Sequence, residues 1–103
     1  MKGLIKMLMS ESELVSRLKA RLRAQGCMVV KGQFPWDRGM PDLIVIWPDG
    51  RVHWVEVKRE GGQVAAMQRF QMRELARRDQ AVYVVEGEEG VRLYLDGKLR
   101  RVK

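Results

Sequence analysis

The chain has 103 residues, 46% of them hydrophobic and 32% charged. That is the composition of an ordinary globular protein, which excludes a disordered or fibrous chain and leaves room for one domain. Its 20 Lys and Arg against 13 Asp and Glu give a formal charge of +7, a field that either attracts polyanions such as nucleic acid or serves solubility alone.

No apolar run approaches the ~20 residues of a membrane span, so a soluble protein is expected, with no membrane partner. Cys27 is the single cysteine; it can form neither an internal disulfide nor a cysteine-based metal site, which points to a reducing cytoplasm and a core position. Residues 1–9 read as an N-terminal extension, because Lys6 interrupts Leu4, Ile5, Leu8 and Met9 and no cleavage site follows. A single domain is expected over residues 10–103.

From Glu11 to Gln25, Leu14, Val15, Leu18 and Leu22 recur at helical spacing and Gly26 follows as a stop. Ser10 and Glu13 fit a capping box, which accounts for Glu13. Glu11 lacks such an explanation, since the helical wheel places it among the apolar residues. Cys27 to Lys31 reads as a strand, and Gly32 to Gly39 as a loop containing Pro35 and Trp36.

Two further strands, Asp42 to Trp47 and Val52 to Lys58, flank Pro48, Asp49 and Gly50, a good three-residue hairpin loop. Both are apolar on both faces, the pattern of central strands covered by helices. Gly61 and Gly62 precede an amphipathic helix from about Val64 to Arg78, and Ala81 to Val85 reads as a strand. Val91 to Leu95 and Lys98 to Val102 flank Asp96 and Gly97, a two-residue hairpin signal. The expected fold is a mixed α/β sheet in the order αβββαβ, with a small C-terminal β-hairpin.

The hairpin loop carries chemistry with it. A three-residue loop pairs Trp47 with Arg51 and therefore Asp42 with Glu56. Directly opposed residues have Cβ atoms about 4.5–5.5 Å apart on the same side of the sheet. Lys58 shares that side, two residues beyond Glu56. Two like charges so opposed need a cation, and carboxylate oxygens suit Mg²⁺ or Mn²⁺, which polarises phosphate and activates water. Lys58 can then act on the water or on the phosphate. The alternative is a plain salt-bridge cluster of the three.

These same residues carry a resemblance. Gly39-Met40-Pro41-Asp42, then Glu56-Val57-Lys58, then Gly61-Gly62 and Gln68 resemble the signature of the VRR-NUC domain, the virus-type replication and repair nuclease of the PD-(D/E)XK superfamily. The resemblance spans roughly Glu11 to Val85 and implies a restriction-endonuclease-like core. It implies Asp42, Glu56 and the Val57 backbone carbonyl as metal ligands, Lys58 as catalytic, and Glu11 and Gln68 as further active-site residues. Phage or prophage relatives that cleave branched DNA as homodimers are similar in size. The family often has a serine where this chain has Ala65, which weakens the cap of the second helix.

Gln68 also stands on the inward stripe of Ala65, Met72, Leu75 and Ala76, where its amide needs a partner, as a site residue or as a satisfied core glutamine. Arg69, Arg73 and Arg77 form a basic stripe for phosphates or for solvent. Trp36, with Phe34 and Arg38 before Asp42, suits base stacking, a core or a dimer contact. His53, the only histidine, alternates to the face opposite Glu56 and Lys58 and is not expected to be catalytic.

The leading expectation is a metal-dependent endonuclease acting on DNA. Its rivals are a non-catalytic nucleic-acid-binding module that keeps the fold, and a subunit whose partner supplies specificity.

Overall fold

The computed structural model describes residues 8–32 and 34–103. The chain runs α1 (Glu11–Ala24), β1 (Met28–Lys31), β2 (Leu43–Ile46), β3 (Val52–Lys58), α2 (Ala66–Ala76), β4 (Ala81–Glu86) and α3 (Gly87–Leu95). The sheet order is β1-β2-β3-β4. The first two pairings are antiparallel and β3 with β4 is parallel, as a strand–helix–strand crossover through α2 requires. Most of the expected extension over residues 1–9 lies outside the described residues, although Met9 packs on the core.

The helix α1 starts where the sequence says. Ser10 Oγ accepts the Glu13 N–H at 3.1 Å and Glu13 Oε1 accepts the Ser10 N–H at 2.9 Å, which satisfies two first-turn amides. Leu14, Leu18 and Leu22 are fully buried against Leu43, Val45, Val55, Val57 and Val85, with Val91 and Tyr94 of α3 completing this core. Cys27 is buried among them. Emptying one such leucine site to alanine costs about 2–5 kcal/mol. The helices α1 and α3 therefore cover one face of the sheet, and α2 covers the other.

The C-terminal β-hairpin expected over Val91 to Leu95 and Lys98 to Val102 does not form. Residues Gly87–Leu95 are helical, with Asp96 as C-cap. The Gly97 N–H donates to Tyr94 O at 3.1 Å and the Lys98 N–H to Leu93 O at 2.8 Å, and Gly97 has φ +71°. This is the Schellman closure of a helix, a backbone demand that Asp-Gly meets as readily as it meets a hairpin turn. Val91, Tyr94 and Leu95 stand at helical spacing, and a hairpin at the chain end would have left their apolar surface without the cover that α1 provides. The same closure ends α1, where the Gly26 N–H donates to Arg23 O and the Cys27 N–H to Leu22 O.

No helix among the described residues is long and apolar enough to cross a membrane.

Candidate active site

The hairpin register is the expected one. Leu43 pairs with Val55 and Ile46 with Val52, and Trp47 N donates to Arg51 O at 2.8 Å. Extending the ladder outward by one step sets Asp42 against Glu56. Asp42 stands just before β2, where its Oδ2 accepts the Val57 N–H at 2.9 Å. That bond uses the strand amide as a clamp and fixes the carboxylate beside Glu56.

Glu56 is only 2% exposed. Its Oε2 accepts from Gln68 Nε2 at 2.8 Å and lies 3.3 Å from Lys58 Nζ. Burial, and next the Asp42 carboxylate, push the Glu56 carboxyl up to about 7, against the opposing pull of Lys58. One lysine therefore does not offset the buried Glu56 beside the half-buried Asp42, and the pair remains short of positive charge.

Gln68 reaches Glu56 from the first turn of α2. Its Oε1 accepts the Ala65 N–H at 2.9 Å while its Nε2 holds Glu56. Ala65 is the N-cap and contributes no side-chain bond, as its methyl group dictates, so Gln68 alone ties the start of the helix. The two bonds also set the orientation of the amide, because only its oxygen can accept an N–H. The inward amide thus both ties the start of the helix and holds Glu56.

Glycines bring the remaining parts together. Gly39 has φ +86°, and a Cβ there would lie 2.7 Å from Met67 O. Only glycine lets the loop before Asp42 touch the α2 backbone. Gln71 Nε2 fastens the same loop by donating to Arg38 O at 3.1 Å.

The other candidates divide. Glu11 is half-buried in the first turn of α1, and no hydrogen bond or ion pair joins it to Asp42, Glu56 or Lys58 among the described residues. Likewise no set of three or more His, Cys, Asp or Glu forms a metal cluster among them.

The basic stripe on α2 is partly engaged. Arg69 Nη1 donates to Val64 O at 2.9 Å, and Arg77 pairs with Glu74 at 2.9 Å, while Arg73 is exposed with no ion pair among the described residues. Arg38 is exposed and Trp36 fully so, whereas Phe34 packs on Trp54 with ring centroids 6.3 Å apart.

His53 lies on the opposite face. Its Nδ1 accepts from Trp47 Nε1 at 3.0 Å and sits 2.7 Å from Tyr94 Oη. Burial holds its pKa down. Sequence reasoning missed the exposed Met67 and Phe70, although both fall off the inward stripe of α2.

A divalent cation fits this donor set. Asp42 and Glu56 offer hard carboxylate oxygens with Lys58 as the cation paired to them, the Val57 carbonyl stands on the same strand as Glu56, and oxygen donors of this kind suit Mg²⁺ or Mn²⁺. The model of the VRR-NUC domain family matches residues 6–89. A solved structure described as a VRR_NUC domain superposes with a TM-score of 0.79 at 30% identity, covering 84% of this chain and 94% of that one. Compared with curated proteins, the chain matches none. Helix, strand order, opposed acids, bridging glutamine and family match all converge: the chain belongs to the VRR-NUC family of nuclease domains.

Proposed function

We propose that this protein is a Mg²⁺- or Mn²⁺-dependent endonuclease that hydrolyses phosphodiester bonds in branched DNA. The observation that carries the reading is the buried Glu56 set against Asp42, with its carboxyl raised to about 7. A protein that only binds nucleic acid gains nothing from opposing two acids where a phosphate must come.

Asp42, Glu56 and the Val57 carbonyl are the ligands of the cation, which supplies charge neutralisation and Lewis-acid polarisation of the phosphate when bound. The chain's own groups do the rest. Val57 N–H and Gln68 Nε2 each hold one oxygen of an acid and so fix the orientation of both carboxylates. Lys58 Nζ, held 3.3 Å from Glu56, donates to the attacking water or to a phosphate oxygen and steadies the charge that develops there. Glu11 enters as an accessory acid from α1. Arg73, Arg38 and Trp36, with Arg69 and Arg77 at shorter reach, contact the DNA.

A homodimer is part of the same reading. Met28, Val30 and Val52 are exposed on the half of the sheet face that α2 leaves open, and a second copy would cover this apolar strip.

The test uses labelled duplex, forked and four-way DNA with Mg²⁺, Mn²⁺ or EDTA. Cleavage is expected with metal and absent in EDTA. Lys58→Ala should lower it by at least ~10² while leaving metal-induced thermal stabilisation in place. A Lys58→Ala protein that cleaves at the wild-type rate would end this assignment.

A further inference from the structure

The loop before Asp42 and the flank of α2 enclose an open groove of about 610 Å³, lined by Pro35, Trp36, Asp37, Arg38, Met67, Phe70 and Gln71. Three of these side chains are large, apolar and exposed: Trp36 at 93%, Phe70 at 57% and Met67 at 51%. Single exposed apolar residues are ordinary, but three converging on one groove mark a binding surface. The walls are held in place by the Gln71 bond to Arg38 O and by the contact of Gly39 with the Met67 backbone. The groove and the carboxylates are built on the same two elements: the loop that forms one wall runs on to Asp42, and the helix that forms the other carries Gln68, which holds Glu56.

The charges around the groove say what it takes. Arg38 and the exposed Asp37 line it, and Arg73 lies one helical turn beyond Phe70 on the same side of α2; both arginines are exposed with no ion pair among the described residues, so the balance is positive. A second copy of this chain seated here would have to bury both guanidinium groups against a groove whose one carboxylate is Asp37, leaving positive charge uncompensated. An unpaired nucleotide suits both features at once, because its base presents a π-face to Trp36 and Phe70 and its phosphates meet the arginines.

We propose that this groove stacks an unpaired base beside the scissile phosphate, so that the substrate is DNA with single-stranded nucleotides at the point of cleavage. The inference rests on the nuclease reading above, and it adds Met67 and Phe70 to the site as specificity-determining residues.

The experiment measures binding without cleavage, in EDTA, by anisotropy of a blunt duplex and of a forked duplex of equal length. The fork carries 2-aminopurine at its first unpaired position. Wild-type protein should prefer the fork and quench the 2-aminopurine. Trp36→Ala should weaken fork binding about ten-fold and duplex binding much less, so that the preference for the fork and the quench are both lost; Trp36→Phe should restore most of both, and Phe70→Ala should follow Trp36→Ala with a smaller loss.

Equal weakening on both DNAs, or no change on either, overturns the proposal. So does a Trp36→Ala or Phe70→Ala protein whose sedimentation shows a lost dimer, which would assign the groove to a second copy. A protein that cleaves nothing with Mn²⁺ yet keeps a Trp36-dependent preference for the fork overturns the nuclease reading alone. An active nuclease without that preference overturns this inference alone.

Discussion

His53 and Glu56 stand three positions apart on β3, are both buried polar residues, and point to opposite faces of the sheet. His53 sits among Trp47, Tyr83 and Tyr94, with its Nδ1 engaged and its pKa lowered by burial, so it is neutral and matched. Glu56 is pushed up to about 7, by burial first and then by the carboxylate it faces. Burial alone therefore does not mark a functional group. A buried group whose neighbours complete its hydrogen bonds stabilises the fold, whereas one left with uncompensated like charge signals a missing ligand.

Glu56→Gln keeps shape but removes the charge that a hard cation needs, so both cleavage and Mn²⁺-induced thermal stabilisation should vanish. His53→Ala should leave cleavage per folded molecule nearly intact and lower stability by about 1–3 kcal/mol, because Trp47 Nε1 and Tyr94 Oη lose their shared partner. Denaturation and cleavage assays on the two variants decide it. A folded His53→Ala protein as inactive as Glu56→Gln would mean that the faces are assigned the wrong way round.

The unfolded chain releases the Glu56 proton near 4.5 and the folded protein near 7. The folded state thus binds that proton more tightly, and its contribution to stability is complete below 4.5 and lost as pH rises to about 7. Metal-free protein should therefore lose melting temperature across that window, and Glu56→Gln should flatten the loss. Added Mn²⁺ should oppose it, since a cation favours the ionised pair. A metal-free profile that rises between 4.5 and 7 in wild type, and is unchanged in Glu56→Gln, would contradict the strained pair.

The smallest effect concerns the two ends of the basic stripe. Arg73→Glu should flatten the salt dependence of DNA binding more than Arg77→Glu, because Arg77 is already paired with Glu74 and releases fewer counterions on binding. Equal slopes would assign both arginines to solvent.

How much of this was legible in the sequence can be read from particular residues. The opposition of Asp42 and Glu56 followed from the three-residue loop Pro48-Asp49-Gly50, and the separation of His53 from Lys58 followed from strand alternation; both are near-neighbour rules that hold wherever the strand is placed. The α1 boundaries were legible for the same reason, since Ser10, Glu13 and Gly26 act locally.

The C-terminal segment was not, because Asp96-Gly97 serves a hairpin turn and a helix end equally, and only the packing of Val91 and Tyr94 against the α1 core chose the helix. Tertiary structure likewise decided that Gln68 bridges Ala65 and Glu56, and that Glu74 engages Arg77. It also left Trp36, Met67 and Phe70 uncovered beside the site. Sequence by itself determined which residues share a face, through backbone periodicity and turn length. Burial, charge balance and exposure depend on elements distant in the chain, and so only the folded arrangement could determine them.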